Sequence, residues 1–330
     1  MSGLGDMGEF GLIRKLTEQL SSNTSLLCGP GDDCAVVQLG NTRVLLSCDA
    51  MVEGIHFRCD WATPDSIGWK AAAAALSDIA AMGGVARWIL ITLGCSSATE
   101  PEYLSELYRG IGELTERYGV VAVGGDTVHA PGNILLDMAV VGEVEAGSEP
   151  KYRSSAQPGD VVFVTGHPGA SALGMVGLKT IDDNAPDTLI EAHTRPTPKL
   201  AEGAWLGRET AVHAMLDVSD GLVADLGHIA ERSDFGIAIE TALLPISPDM
   251  RRYARSIGAQ PELYALGRGE DYELVFTVSN EAAEDLQHRF ANTFTLPLTR
   301  IGVVQSGKPG VWVDGRLSPP QGYDHFADGK

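Results

Sequence analysis

Residues 69–84 read WKAAAAALSDIAAMGG, and this stretch decides the fold. Its alanines favour an α-helix, and Thr63-Pro64 upstream has the form of an N-cap followed by proline at the first helical position. Gly83-Gly84 ends the predicted helix. Apolar strands are predicted on either side of it, at 43–48 and 87–93. A strand, a helix and a second strand in this order are typical of α/β or α+β proteins.

The alternation of predicted strands and helices continues along the whole chain. Residues 99–102 have the spacing of a capping box and open a helix that closes near Gly119. The polar, turn-rich stretch 145–159 is the predicted boundary between an N-terminal domain, residues 1–148, and a C-terminal domain, residues 149–330. The other predicted helices cover 10–20, 197–208, 221–231 and 281–290, and the other strands cover 120–123, 134–144, 160–165, 215–218, 273–278, 299–304 and 310–313.

The composition argues against several classes of protein. The 330 residues include 24 Lys and Arg against 44 Asp and Glu, and the formal net charge of -20 disfavours a nucleic-acid partner or an anionic membrane surface. No apolar stretch approaches the roughly 20 residues of a membrane-spanning helix, and the acidic start of the chain is unlike a signal peptide. The five cysteines form no CxxC pair, so we expect reduced thiols in a cytoplasmic protein rather than disulfides or a zinc site.

Aspartates beside small residues recur at the predicted ends of strands and helices. Because strand ends in an α/β sheet converge on one edge, these carboxylates are expected to meet there. Asp78 is the most informative, since it lies in the last turns of its helix, where the helix dipole disfavours an anion. Asp220 has a second interpretation as an N-cap, whereas Asp217 at a strand end has none. The set comprises Asp32, Asp33, Asp49 (where the 43–48 strand is predicted to stop), Asp78, Asp126, Asp217 and Asp220.

Carboxylates with few histidines or cysteines nearby indicate Mg²⁺ rather than zinc. Mg²⁺ typically takes one or two protein carboxylates together with substrate phosphates, so several carboxylates indicate several ions and a polyphosphate substrate. The chain has neither a GxxxxGK[ST] loop nor the HRD and DFG motifs of protein kinases. Residues 166–171 have the form of a phosphate cradle at a helix N-terminus, but a plain strand-to-helix turn is the favoured interpretation.

Seven motifs are arranged along nearly the whole chain in an order that is collectively specific. They are GDDCAV (31–36), SCDAMVEGIHF (47–57), WKAAAAALSDIAAMGG (69–84), GGDT (124–127), DVSDGLVADLGHIA (217–230), GEDYELVF (269–276) and GYDHF (322–326). The set resembles the thiamine-monophosphate kinases, a family within the aminoimidazole ribonucleotide synthetase superfamily. The segments DAMVEGIHF, DVSDGL and GEDYEL carry most of the resemblance.

The resemblance implies ATP-dependent phosphorylation of thiamine monophosphate to thiamine diphosphate, with several Mg²⁺ ions and ATP as co-substrate. It also implies a two-domain fold and a homodimer formed through the N-terminal domains. Acceptor contacts are implied at His56, Glu270 and Tyr323. ATP contacts are implied at Gly125, Asp126, Arg153, Ser219 and Tyr108. Metal contacts are implied at Asp33, Ser47, Cys48, Asp49, Asp78, Asp126, Asp217 and Asp220.

Two positions depart from the family pattern. Cys48 occupies a position that often holds Thr or Ser, and a thiol is a poor ligand for Mg²⁺, so a metal site there depends on whether the side chain or the carbonyl ligates. Ala75 stands where relatives often have Asn.

The mechanism requires no general base, because the acceptor is a phosphate whose second pKa is about 6. Two other functions stay open. One is another ATP-dependent enzyme of the superfamily, such as a purine-pathway synthetase, which only the acceptor residues His56, Glu270 and Tyr323 separate from this family. The other is a non-catalytic regulator that binds metal or nucleotide.

Overall fold

Residues 4–319, 322–323 and 325–326 are described by a computed structural model of the chain. They form two β-sheets with helices packed around and between them, which confirms the expected mixture of helix and strand in two halves. No helix of the described residues is long and apolar enough to cross a membrane. The helices are α1 (Leu4–Thr17), α2 (Pro64–Ala81), α3 (Pro101–Tyr118), α4 (Ala170–Thr180), α5 (Asp187–Thr194), α6 (Leu200–Arg208), α7 (Leu222–Ser233), α8 (Pro248–Ser256), α9 (Pro261–Gly267) and α10 (Ala283–Thr293).

Each half of the chain contributes one sheet. The first contains β1 (Leu26–Cys28), β2 (Ala35–Leu39), β3 (Thr42–Val52), β4 (Val85–Cys95), β5 (Val121–His129) and β6 (Leu135–Glu143), in the spatial order β1-β2-β3-β6-β4-β5. The second contains β7 (Val161–Thr165), β8 (Val212–Asp217), β9 (Gly236–Ile239), β10 (Leu274–Val278), β11 (Leu298–Gln305), β12 (Gly310–Val313) and β13 (Arg316–Leu317), in the order β13-β12-β9-β11-β7-β10-β8.

Helix α2 is the hub of the molecule. It begins after Thr63 with proline in the first turn and is buried along almost its whole length, as its alanine content allows. It packs against α3, against β3 and β6 of the first sheet, and against α6 and β8 of the second half. Gly110 of α3 makes the close approach possible, because a Cβ there would lie 1.8 Å from the carbonyl oxygen of Asp65. The helix therefore carries side chains into the space between the two halves.

The two faces of the first sheet differ in their cover. On the inner face, which α2 covers, Leu45, Met51 and Ile89 are buried. The alternating side chains of the other face are exposed on β3, β4 and β5, apart from a half-buried few, and half-buried on β6. We call this the outer face, and its exposed apolar residues are Leu46 on β3, Trp88 and Leu90 on β4, and Val121, Val123 and Val128 on the edge strand β5.

The structure corrects several expectations about element ends. Strand β3 does not stop at Asp49 but continues to Val52, and the short strand expected at 120–123 runs on through Asp126 to His129. Both aspartates thus lie inside strands, because the ladders with β6 and β4 continue past them. The first sheet is also largely antiparallel, so strand ends do not converge on one edge.

Two smaller expectations about helix ends are also wrong. The capping box at 99–102 does not form, since Glu100 is the N-cap without a side-chain cap and the Thr99 hydroxyl faces Ser96 instead. The helix expected over 10–20 ends at Thr17. The predicted helix end at Gly119 is confirmed, with this glycine in the left-handed conformation.

Candidate active site

A cleft between the two halves holds most of the residues singled out from the sequence. Its cavity of about 570 Å³ lies beside the C-terminal part of α2 and the end of β8. Asp78 and Asp217 lie at the ends of α2 and β8, at one end of the cleft, and His56 and Glu270 lie at the other, where a second cavity adjoins. The lining includes His56, Asp49, Asp78, Asp217, Ser219, Asp220, Glu270, Tyr323 and His325.

Three aspartates from distant parts of the chain form the acid cluster: Asp33, Asp78 and Asp217. Asp33 precedes β2, Asp78 lies near the end of α2, and Asp217 ends β8. Each offers a carboxylate oxygen, and these oxygens all lie within 4.8 Å of one another. Serine hydroxyls orient two of them, because Ser47 donates to Asp78, and the Ser77 hydroxyl lies 2.6 Å from an oxygen of Asp217.

The acid cluster is electrostatically unfavourable without a cation. Burial, followed by repulsion from Asp33, raises the pKa of Asp217 to about 7. Burial, followed by repulsion from Asp217, also raises the pKa of Asp78. On the neighbouring strand β3, burial and Asp137 raise the pKa of Asp49 to about 6. Crowded carboxylates of this kind are the hard oxygen ligands that Mg²⁺ prefers, so these residues fit a divalent cation.

Arg153 partly neutralises the acid cluster in this structure. Its guanidinium lies 2.6 Å from a carboxylate oxygen of Asp33, and its backbone N–H donates to Asp32. Burial and the neighbouring Asp33 raise the pKa of Asp32 to about 7. The resemblance implies an ATP contact at Arg153, and the structure brings its guanidinium to Asp33 of the acid cluster.

Cys48 points away from the acid cluster. Its thiol lies 3.0 Å from a carboxylate oxygen of Asp137, on the outer face of the sheet. Burial and the bond to Asp137 raise the pKa of this thiol to about 11, so it is not a thiolate near neutral pH. The flanking Ser47 and Asp49 point to the inner face, as the alternation of a strand requires.

The structure does not bring Gly125, Asp126 and Tyr108 to the acid cluster of the same chain. Asp126 pairs with Thr92 on the exposed edge strand β5 and faces outward, while Asp49 faces inward from β3. Strands β6 and β4 separate β3 from β5, which corresponds to about 14 Å at the usual strand spacing. Gly125 is required at its position, because a Cβ there would lie 1.8 Å from the Ile91 carbonyl oxygen. Tyr108 is partly exposed on α3.

The predicted acceptor residues meet at the other end of the cleft. The His56 Nδ1 accepts from the Val52 N–H, so the proton lies on Nε2, and burial lowers the pKa of this imidazole. Its Nε2 lies 3.5 Å from the Nε2 of His325, whose ring packs edge-on against Tyr323. A second cavity of about 440 Å³ adjoins this end and shares His56 and Glu270 with the first. Asp324 of the GYDHF motif lies outside the described residues.

The side chains of residues 269–273 contact different parts of the molecule. Glu270 faces the acceptor end of the cleft, and its backbone adopts a positive φ of 64°. Asp271 accepts from the N–H groups of Gly169 and Ser171 at the start of α4. The turn at 166–171 is therefore filled by the protein's own carboxylate, which agrees with the plain-turn interpretation rather than with a phosphate cradle.

Several side chains at the site were missed from the sequence. Asp137 contacts Cys48, and the buried Lys70 and His193 contact Glu270. Asp225 accepts from the N–H groups of Gly221 and Asp220 at the start of α7, and the N-cap of this helix is Gly221 rather than Asp220. For Lys70 a signal was available, since it lies eight residues before Asp78 and thus on the same face of α2.

Comparison with known proteins identifies the class to which this architecture belongs. The family described as AIR synthase related protein, N-terminal domain, matches residues 31–144, and the corresponding C-terminal domain matches residues 157–314. Proteins of hydrogenase maturation, such as a HypE–HypF complex with a TM-score of 0.74 and 18% identity, share the fold. The chain is therefore a member of the AIR synthase related proteins.

Nearer relatives narrow the class. A thiamine-monophosphate kinase of Bacillus subtilis is 35% identical, over 97% of this chain and 100% of the relative. One of Escherichia coli K12 is 36% identical, over 97% and 98%. A solved structure described as AaThiL complexed with AMPPCP and TMP superposes with a TM-score of 0.88, at 34% identity and 99% coverage of both chains. The chain belongs to the thiamine-monophosphate kinase family, as the motifs predicted.

Proposed function

We propose that this chain phosphorylates thiamine monophosphate with ATP to give thiamine diphosphate, by direct in-line transfer. The observation that carries the proposal is one cleft that joins the acid cluster to the acceptor residues His56, Glu270 and Tyr323. A relative of the same family is described in complex with AMPPCP and TMP. AMPPCP is an analogue of ATP, and the abbreviation TMP is consistent with thiamine monophosphate.

The acid cluster, together with Asp49 and Asp220, would hold several Mg²⁺ ions. When bound, these ions supply neutralisation of the phosphate charges that would otherwise repel each other. Arg153 would contact the phosphates of ATP once it leaves Asp33, and Ser219, which lines the cleft, would lie beside them. The ligand set proposed from the sequence also includes Ser47, Cys48 and Asp126, of which only Ser47 contacts the acid cluster through its side chain in this chain.

The protein's own groups have little chemistry to perform on the acceptor. A phosphate with a second pKa of about 6 is already largely ionised at neutral pH, so no base is required. The neutral His56 ring directs Nε2–H into the cleft, where it would donate to an acceptor phosphate oxygen. Glu270 and Tyr323 would contact the thiazolium cation and the pyrimidine ring, because a carboxylate attracts a cation and an aromatic side chain packs against a flat ring.

We further propose that the chain acts as a homodimer through the outer face of the first sheet. The exposed apolar residues of that face form a surface on which a second copy would pack. A second copy would also resolve the position of Asp126, which its own chain holds on the far edge of the sheet. Asp126, Gly125 and Tyr108 would then complete the partner's cleft.

The remaining finer features are proposals of the same kind. We place the domain boundary near residues 148–149, between β6 and β7, and expect a cytoplasmic protein. The five cysteines are all free thiols in the structure, which suits a reducing compartment.

The test is a product assay. Purified protein is incubated with ATP, Mg²⁺ and thiamine monophosphate, and thiamine diphosphate is quantified by chromatography, with free thiamine as the matched acceptor without a phosphate. We expect turnover of the monophosphate only, because the missing phosphate is both anchor and nucleophile. Equal turnover of free thiamine would contradict the mechanism. ATP hydrolysis only with a purine-pathway intermediate would indicate another enzyme of the superfamily, and binding without any turnover would indicate a regulator.

A further inference from the structure

Lys70 is a buried cation that has no assigned role in the proposed phosphoryl transfer. It lies on α2, and 3% of its surface is exposed. Its Nζ is 2.6 Å from a carboxylate oxygen of Glu270, 3.1 Å from the carbonyl oxygen of His56 and 3.4 Å from Nε2 of His193. An ammonium group has three protons to donate, and three partners surround it.

The partners of Lys70 are the walls of the acceptor end of the cleft. Glu270 and His56 are two of the three residues proposed to contact the acceptor, and both line the cavity that contains Asp78. His193 completes the arrangement, because burial and the nearby Lys70 lower its pKa to about 3 and keep it neutral. A neutral ring accepts from Lys70 at Nε2 and presents Nδ1 to the Ser171 hydroxyl at 3.1 Å.

Helix α2 connects this contact to the acid cluster. Lys70, Ala74 and Asp78 are spaced by four residues and therefore lie on one helix face, and Ala74 and Asp78 line the same cavity. Eight residues correspond to about 12 Å along a helix axis. One rigid element thus carries a member of the acid cluster at one end and the anchor of the acceptor pocket at the other.

Glu270 is fixed at both its backbone and its side chain. Its φ of 64° is unusual for a residue with a side chain, and its N–H donates to the Ser219 carbonyl oxygen at 2.8 Å. Lys70 contacts one carboxylate oxygen of Glu270. The other oxygen, which lies 3.7 Å from Nδ1 of His193, remains for a ligand. Removal of Lys70 would leave this carboxylate partly buried without its cation and free to rotate.

We propose that Lys70 is a positioning residue for the acceptor, which fixes Glu270 and the His56 main chain at a set distance from the acid cluster. This inference rests on the proposed function. It predicts that Lys70 affects acceptor binding and leaves nucleotide binding alone, since Lys70 itself contacts none of the residues proposed for ATP and the hydrogen bond between Glu270 and Ser219 joins main-chain atoms.

The experiment compares steady-state kinetics of the wild type, Lys70→Met and Lys70→Gln, with KM measured separately for thiamine monophosphate and ATP. We expect Lys70→Met to raise KM for thiamine monophosphate at least tenfold and to change KM for ATP less than twofold. Lys70→Gln keeps hydrogen-bond donors without charge and should give an intermediate value. If Lys70→Met does not fold, this second variant carries the comparison.

The matched control is Lys199→Met. Lys199 is also buried and contacts a carboxylate of the same segment, Glu273, at 3.2 Å, but neither residue lines the cleft. We expect this variant to lose thermal stability and to keep both KM values within twofold. In the double variant Lys70→Met/Glu270→Gln, KM for the acceptor should rise by less than the product of the two single-variant increases, because the two residues act as one unit.

The outcomes separate the two proposals. A folded Lys70→Met protein with an unchanged KM for thiamine monophosphate, or a tenfold rise in KM for ATP as well, would overturn the positioning role while the proposed function stands. A wild type that does not convert thiamine monophosphate would overturn the proposed function, and the positioning role with it.

Discussion

The two faces of the first sheet are built from the same strands and have opposite surroundings. The inner face is covered by α2, and its polar side chains, Ser47 and Asp49, lie beside the acid cluster inside the cleft. The outer face exposes apolar side chains, and its polar ones, Cys48, Asp126 and Asp137, lie among them. One face borders an acid cluster that a single chain assembles, and the other has the features of a surface that needs a partner.

The difference shows how alternation along a strand divides one motif between two sites. Residues 47–49 are adjacent in sequence, yet the Ser47 side chain contacts Asp78 of the acid cluster while the Cys48 thiol contacts Asp137. A motif in a strand therefore need not supply consecutive ligands to one metal. In the same way Asp126 belongs to the proposed metal set by sequence and to the outer face by structure.

The largest expected effect is on the inner side. Asp78→Asn removes one charge from the acid cluster and should lower kcat at least about 100-fold, the scale of losing one electrostatic stabiliser of the transition state. The control is Asp160→Asn, which alters a buried carboxylate bound to His213 at 2.9 Å, away from the cleft. It should retain kcat within about twofold. Near-normal turnover by Asp78→Asn would remove the acid cluster from the mechanism.

A comparable effect is expected on the outer face. Leu90→Glu places a charge in the middle of the exposed apolar surface, so it should yield a folded monomer and lower activity at least about 100-fold, because a monomer lacks the partner's Asp126. Light scattering with a parallel thermal melt measures both the mass and the fold. Leu263→Glu, at an exposed leucine of α9, is the control and should remain dimeric. A dimeric Leu90→Glu protein would place the interface elsewhere.

The smallest effect concerns metal and pH. The pKa of Asp217 is raised from 3.8 to about 7, so between these values the folded state keeps a proton that the unfolded chain loses. Metal-free protein should therefore lose stability as the pH rises from about 4 to about 7. Mg²⁺ should raise the melting temperature by more at pH 8 than at pH 5.5, because at pH 8 protons no longer compete with the ion for the carboxylate oxygens. An equal gain at both pH values would contradict this account, and Asp217→Asn should reduce the difference.

Much of the fold could be predicted from the sequence, because long periodic or apolar segments determine their own structure. Helix α2, the strand β4 and the helix end at Gly119 follow from alanine content, apolar runs and glycine. The full length of β5 could not be predicted from the sequence, because Gly124-Gly125 is locally typical of a turn. Only the pairing of β5 with β4 keeps these two glycines in a strand. Short elements such as β1, α5 and α9 could not be predicted either, because they contain too few residues for a hydrophobic pattern to be recognised.

The candidate site divides in the same way. Motif resemblance singled out Asp33, Asp78 and Asp217, and the fold brings them together from three elements far apart in sequence. His193 was missed because a histidine in a short helix acquires meaning only through its contact with Glu270, whereas Lys70 lies on the same face of α2 as Asp78 and could have been singled out. The separation of Asp126 from the acid cluster could not be foreseen either, since it depends on the order of the strands.

Complementation between two inactive variants tests the central claim most directly. Differently tagged Asp78→Asn and Asp126→Asn chains are co-expressed, and the mixed dimer is purified by both tags. If each cleft combines the acid cluster of one chain with Asp126 of the other, one cleft of the mixed dimer is intact. We then predict about half the wild-type activity per dimer, while each variant alone loses at least about 100-fold. A mixed dimer as inactive as its parents would contradict the claim that the second copy completes the site.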